Sequence, residues 1–74
     1  MYGQQDLIWD GGQVRRASSP GVVLATLEPD LNWPGMWRVR LPDGHLTDMA
    51  NLSRARDAAP SLALTVLNKH REAA

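Results

Sequence analysis

The stretch MWRVRLPDG, residues 36–44, decides the fold. Apolar and basic side chains alternate from residue 37 to residue 41, which is the two-residue period of a strand with one buried face. The two sets are Trp37, Val39 and Leu41 on one face and Arg38 and Arg40 on the other. The stretch therefore predicts a strand at 36–41 whose apolar face is turned to the core.

The turn that follows this strand, Pro42-Asp43-Gly44, is the strongest local signal in the chain. Proline presets φ at the first central turn position, and glycine takes the left-handed position of a three-residue hairpin with a glycine bulge. We therefore expect a return strand at 45–49. In that register Leu41 pairs with His45.

A second strand is predicted upstream at residues 22–27, where the β-branched content favours a strand over a helix. Glu28-Pro29-Asp30 ends it, because proline cannot donate a hydrogen bond to a sheet ladder. The loop continues through residues 31–35 and carries Trp33. This aromatic residue either stays exposed for binding or folds back as a lid on the core.

A hairpin is predicted near the N-terminus, with strands at 7–10 and 13–16 on either side of Gly11-Gly12. Two glycines suit a two-residue turn, because such turns need positive φ at the central residues. In that register Trp9 faces Val14 on one side of the sheet. The alternative is a single strand followed by a loop.

A helix is predicted at 51–71, with residues 72–74 frayed. Asn51 is a suitable N-cap, and apolar residues recur downstream at steps of three and four. This stripe consists of Leu52, Ala55, Ala59, Leu62, Ala63, Val66 and Leu67. Pro60 removes a helical hydrogen bond and bends the axis. The pattern favours one kinked helix, with a second helix beginning at Asp57 as the alternative.

These elements predict one α+β domain, because 74 residues are too few for two domains that fold alone. The predicted architecture is a small antiparallel sheet of three to five strands, covered on one face by the C-terminal helix. The expected core combines Trp37, Val39, Leu24 or Leu27, Leu62 and Val66.

The order of elements across residues 22–70 resembles the sheet-plus-helix domains of plant ethylene-response factors and phage integrase arm-binding domains. In those families the open sheet face lies in the DNA major groove, so the resemblance implies Arg38 and Arg40 as DNA contacts. The rhythm of residues 21–30 and 37–44 is also similar to Tudor and KOW barrels, which bind nucleic acid or methylated side chains. The alternative fold is therefore a small barrel with an appended helix.

Composition limits the classes of function. Eight basic residues balance eight acidic ones, whereas a dedicated nucleic-acid binder usually carries a basic excess. A net charge of zero also favours self-association. The chain has no cysteine for disulfides or thiolate metal sites, no run of about 20 apolar residues, and no signal-peptide pattern at its N-terminus. We expect a cytoplasmic protein of bacterial or phage-like type with no membrane contact.

No catalytic constellation emerges from the sequence, so we expect no enzymatic activity and no cofactor. His45 with Asp43 and Asp48 could hold a metal, but an exposed turn histidine is the better interpretation, and we predict no metal site. His70 is expected to supply charge at the helix end. The serines have no fixed base partner, so nothing indicates a nucleophilic triad.

The candidate binding residues are Arg15, Arg16, Arg38, Arg40 and Trp33. Arginine forks bind phosphates or carboxylates through two hydrogen bonds, and the four arginines converge in a basic strip if the first hairpin joins the main sheet. The alternative is solvated charge, with Arg38 paired to Asp48. We expect a non-enzymatic binding or accessory protein acting through a protein partner or self-association. The second hypothesis is a nucleic-acid-binding module that uses the open sheet face.

Overall fold

The computed structural model describes the backbone of residues 2–73 and the side chains of residues 2–69. A short 3-10 helix is followed by five strands and one long α-helix. The bounds are Gln4–Asp6 for the 3-10 helix, Leu7–Asp10 (β1), Gln13–Arg16 (β2), Ser19–Pro29 (β3), Met36–Arg40 (β4), Ala50–Asn51 (β5) and Leu52–Ala73 (α1).

The five strands form one antiparallel sheet in the order β1-β2-β3-β4-β5. Helix α1 packs on one side of it, mainly against β3 and β4. The predicted α+β fold is therefore confirmed. The alternative barrel is wrong, because β1 and β5 lie at opposite edges of an open sheet. We call the side away from α1 the open sheet face.

The first hairpin joins the main sheet through β2 in the predicted register, with Trp9 opposite Val14. Gly11 has a φ of 62°, as the two-residue turn requires. Beyond the strands, the Ala17 amide donates to the Asp6 carbonyl at 2.8 Å and extends the ladder by one bond. Local turn chemistry was sufficient to define this hairpin.

Strand β3 begins at Ser19, three residues before the predicted start, and its pairing with β2 is irregular at two places, one on each side of Arg15. Val14 pairs with Ala25 and Arg15 pairs with Val23, so Leu24 is an extra residue on β3. A bulge turns two successive side chains toward one side of the sheet. Leu24 and Ala25 are consequently both buried in the core.

The predicted return strand at 45–49 does not form as a strand, although its turn forms as expected and the predicted register holds in an isolated bridge between Arg40 and Leu46. Gly44 has a φ of 91°, and the Leu41 amide donates to the His45 carbonyl at 2.9 Å. The Thr47 amide still donates to the Val39 carbonyl at 3.0 Å. The ladder ends at this pair, because the Thr47 hydroxyl, and not its backbone carbonyl, accepts the Val39 amide at 2.9 Å.

Regular pairing with β4 resumes only at β5, where the register is shifted by one residue. Arg40 bridges to Leu46 near the turn, whereas Trp37 pairs with Ala50 at β5. The segment between them holds one extra residue. The predicted position of Asp48 opposite Arg38 is therefore lost.

Helix α1 runs from Leu52 to Ala73 and passes through Pro60, so the alternative start of a second helix at Asp57 is wrong. Asn51 is its N-cap, because the Asn51 Oδ1 atom accepts the Arg54 amide at 2.9 Å. The helix continues past the predicted end at residue 71. The predicted charge of His70 falls on a side chain outside the described ones, and Ala74 lies outside the described residues.

The core lies between the alanine-rich face of α1 and the sheet. The buried helix residues are Ala55, Ala59, Ala63 and Leu67, and the buried sheet residues are Val14, Leu24, Ala25 and Val39. Trp37, Leu27, Leu62 and Val66 are half-buried around this cluster. Leu52 belongs to the predicted stripe but is exposed. The buried helix residues recur at every fourth position from 55 to 67, and Leu52 does not belong to that series.

Candidate protein-binding surface

The Trp33 loop, residues 30–35, joins β3 to β4 and is organised by Asp30. The Asp30 Oδ1 atom accepts the backbone amides of Asn32 at 2.9 Å and Trp33 at 3.1 Å. The Asp30 Oδ2 atom accepts a hydrogen bond from Arg38 Nε at 2.8 Å. The side chain of Asp30 is only 6% exposed. An aspartate that caps the next amides in this way fixes the backbone of a turn.

Backbone hydrogen bonds close the same loop at its base. The Asp30 amide donates to the Met36 carbonyl at 2.8 Å, and the Met36 amide donates to the Trp33 carbonyl at 3.1 Å. Gly35 adopts a φ of 83°, a left-handed conformation that favours glycine. The loop thus has one defined backbone conformation.

Two large apolar side chains project from this loop into solvent. Leu31 is 97% exposed and Trp33 is 59% exposed. Of the two alternatives for Trp33, the structure shows exposure and not a lid on the core. The sequence reasoning missed Leu31. No periodic signal in the sequence marks Leu31.

The electrostatics of Asp30 favour its charged form. The hydrogen bond from Arg38 lowers the pKa of the Asp30 carboxyl most, and the amides of Asn32 and Trp33 lower this pKa further. Asp30 is therefore ionised at neutral pH. The loop and the Arg38 guanidinium are held by the same negative charge.

Arg38 and Arg40 lie on the open sheet face, as the sequence predicts, and each is paired with a carboxylate. The partner of Arg38 is Asp30 and not the predicted Asp48. Arg40 binds Glu28 through both Nε and Nη2, the latter at 3.3 Å. Glu28 raises the pKa of the Arg40 guanidinium. The two cations are thus neutralised within the sheet.

Arg15 also lies on the open sheet face and is enclosed by acceptors. Its Nη1 atom donates to the Pro20 carbonyl at 2.8 Å, and its Nη2 atom donates to Gln13 Oε1 at 2.5 Å. Its Nε atom is 3.1 Å from Asp10 Oδ2, an ionic contact without the alignment of a hydrogen bond. Arg15 therefore contributes no unpaired positive charge to this face.

Arg16 points to the other side of the sheet, because side chains alternate along β2. Its Nη2 atom donates to the Tyr2 hydroxyl at 2.8 Å, and its guanidinium lies 5.0 Å from the centre of the Tyr2 ring. The four predicted arginines are thus not brought together into one basic strip. Three lie on the open sheet face, each beside a carboxylate, and one lies on the helix side.

A shallow cleft connects the Trp33 loop to the open sheet face. Its volume is about 310 Å³. It is lined by Leu31, Asn32, Glu28, Arg38, Arg40 and Leu46, among others. The paired charges therefore form a neutral polar rim beside the exposed apolar side chains.

The residues weighed for metal binding do not come together. Among the side chains of residues 2–69, no three His, Cys, Asp or Glu residues are placed to hold an ion. Asp43 instead accepts the backbone amide of His45 at 2.8 Å. No helix within residues 2–73 has the length and apolar character needed to cross a membrane.

Comparisons with known proteins add no relative: no protein-family model, curated protein or solved structure matches this chain. The resemblance to the sheet-plus-helix DNA-binding domains therefore depends on element order alone. The structure reproduces that order in β3, β4 and α1 and places Arg38 and Arg40 on the open sheet face. It also supplies each arginine with an acidic partner.

Proposed function

We propose that this chain is a small non-enzymatic, cytoplasmic binding protein that acts through protein–protein contacts, with the Trp33 loop as its anchor. The observation that carries the proposal is the exposure of Leu31 and Trp33 on a loop pinned by Asp30. Tryptophan is enriched among the residues that dominate binding energy at interfaces. Exposed side chains of this kind do not stabilise the folded chain itself. We therefore assign them to contact with a partner protein.

The fixed backbone of the loop supports this function. Binding by a mobile loop costs conformational entropy, and a loop already held in one conformation avoids most of that cost. The carboxylate of Asp30 and the two backbone bonds at the base provide this order before any partner arrives. The expected partner is a folded protein with an apolar pocket that accepts an indole ring and a leucine side chain.

The neutral polar rim limits the electrostatic contribution to binding. Arg38 is paired with Asp30 and Arg40 with Glu28, so the surroundings of Trp33 carry no excess charge. Interfaces commonly surround an apolar centre with a polar rim of this kind. We therefore expect the affinity for the partner to depend little on salt concentration.

Affinity capture with matched variants tests the proposal. The wild-type chain, a Leu31→Ser/Trp33→Ala variant and a Val22→Ser control are immobilised at equal density and exposed to a lysate of the source cells. Val22 is 45% exposed and lies about 25 Å from the loop along β3. We expect a protein that is retained by wild type and control, resists a high-salt wash and is absent from the loop variant. Retention of the same proteins by all three chains would contradict the proposal.

Nucleic-acid binding through the open sheet face is the second candidate, favoured by the adjacent positions of Arg38 and Arg40 on β4. Phosphates would have to displace Asp30 and Glu28 from these guanidinium groups. A low-salt titration of DNA and RNA with wild type and an Arg38→Ala/Arg40→Ala variant decides it. Binding that weakens with salt and disappears in the variant supports this candidate. No binding, or binding that survives the substitutions, excludes it.

A further inference from the structure

A second cleft, which we call the helix cleft, lies between the segment that joins β4 to α1 and the first two turns of α1. Its volume is about 570 Å³. Its floor consists of Val39 and Ala55, which are only 1% and 3% exposed. The half-buried Ala50 and the exposed Ala58 flank this floor. No residue lines both this cleft and the one beside the Trp33 loop, so the two are separate.

The helix cleft exists because the sheet is incomplete beside β4. The ladder ends at Thr47 and resumes only at β5, so no continuous strand covers the outer side of Val39. On the other wall, α1 presents alanine at positions 55 and 58, and single methyl groups leave the space unfilled. Small-molecule sites typically have volumes of about 300 to 1,000 Å³ and mostly apolar linings. The helix cleft has the size and the floor of such a site.

Three exposed charged side chains surround the mouth of the helix cleft. Asp48 lies on the connecting segment, and Arg54 and Asp57 lie on α1. Among the side chains of residues 2–69, the ion pairs involve other residues and leave these three out. The mouth thus presents two carboxylates and one guanidinium to solvent. Its net charge is negative, in contrast to the neutral rim beside the Trp33 loop.

We propose that the helix cleft binds a small apolar molecule that carries one primary ammonium group. The apolar body lies on Val39 and Ala55, where it covers surface that would otherwise meet water. The ammonium group meets the carboxylates of Asp48 and Asp57 at the mouth. An ammonium group is a compact charge with three donors, and a carboxylate offers only acceptors. Charge complementarity therefore favours this class over an anion of the same size.

Two positive groups near the mouth limit the affinity without reversing this preference. The start of α1 carries the positive end of the helix dipole, but that effect falls off within the first turn and Asp57 lies in the second. Arg54 is exposed, and its long side chain can turn its charge away into water. Exposed charges contribute little individually. The apolar floor therefore supplies most of the binding, and the carboxylates supply the preference for a cation.

A titration of the ¹⁵N-labelled full chain with three matched probes tests the proposal. 2-Phenylethylamine, 2-phenylethanol and 3-phenylpropanoate have similar apolar bodies and carry a positive, a zero and a negative charge. We expect the amine to give saturable shifts of the amide resonances within residues 47–58. The alcohol is expected to bind about three- to fivefold more weakly, because it loses only the contribution of exposed charges. The acid is expected to bind more weakly still.

Substitutions at the mouth and at the flank locate the site. Asp48→Asn/Asp57→Asn is expected to bind the amine about three- to fivefold more weakly and to lose the preference for the amine over the alcohol. Arg54→Gln is expected to bind the amine more tightly, because it removes the opposing charge. Ala58→Leu fills one flank of the cleft and is expected to abolish binding of all three probes while the ¹⁵N spectrum stays that of a folded chain.

The outcomes separate this proposal from the function proposed for the Trp33 loop. The Leu31→Ser/Trp33→Ala variant is expected to bind the amine as wild type does, so either proposal can fail without the other. Absence of saturable shifts at up to about 10 mM amine overturns the helix-cleft proposal. Equal affinities for the amine and the alcohol, or unchanged binding in Ala58→Leu, also overturn it.

Discussion

At the scale of single residues, Asp30 links the two properties that define the candidate surface. Its carboxylate caps the amides of Asn32 and Trp33, and it also pairs with Arg38 on the open sheet face. The same group thus orders the apolar loop and removes a positive charge next to it. Loss of Asp30 is expected to change both properties together.

Two substitutions of Asp30 separate its roles. Asp30→Asn keeps an oxygen that can cap the loop amides but loses the charge that holds Arg38, whereas Asp30→Ala loses both. We expect ¹⁵N relaxation to give order parameters for residues 31–35 near the rigid value of about 0.85 in wild type and below about 0.6 in Asp30→Ala. Asp30→Asn should lie between them. Unchanged order parameters in Asp30→Ala would show that the backbone bonds alone fix the loop.

The same carboxylate predicts an acid-sensitive loop. The pKa of Asp30 is lowered in the folded chain, chiefly by Arg38. Its stabilising contribution is therefore complete above the unfolded value of about 3.9 and is lost as pH falls through the lowered pKa. The Trp33 amide resonance is expected to report this titration below pH 3.9. In Arg38→Ala its midpoint should move upward, because the largest cause of the shift is gone. An identical midpoint in the two chains would refute this assignment.

Residue periodicity predicted the faces of β4 but not the partners of its arginines. The two-residue alternation is local, so it assigned Arg38 and Arg40 to one face correctly. Their partners depend on how the ladder continues past the turn, where it ends at Thr47, and on the position of Asp30 at the start of the Trp33 loop. Neither event leaves a periodic signal. For the same reason Leu31 was missed.

At the scale of elements, the fit between α1 and the sheet depends on small residues. Ala55, Ala59 and Ala63 recur every four residues along the buried face, and each is almost fully buried. Alanine side chains allow the helix backbone to approach the sheet closely, and larger side chains would have to force the layers apart. The helical period predicted this stripe, whereas the relative burial of its members required the packed structure.

Ala59→Leu tests this close approach, with Ala58→Leu as the matched control. Ala59 is buried against the sheet, while its neighbour Ala58 is exposed. Overpacking at position 59 is expected to reduce the free energy of unfolding by about 1 to 3 kcal/mol. The exposed control should stay within about 0.5 kcal/mol of wild type. Urea unfolding followed by circular dichroism measures both, and equal stabilities of the two variants would rule out the tight alanine contact.

At the scale of the whole molecule, the potential contact surfaces are spatially separate. The Trp33 loop lies at the end of β3, the open sheet face between carries paired charges, and β1 forms the far edge.

Photo-crosslinking from position 33 tests the central claim most directly. Trp33 is replaced by a photoreactive aromatic amino acid in the source cells, and Val22 is replaced in the same way as a control of similar exposure. The proposed function predicts a discrete adduct with another protein from position 33 and none from position 22. Equal crosslinking from both positions, an adduct only between copies of this chain, or an adduct removed by nuclease would contradict it.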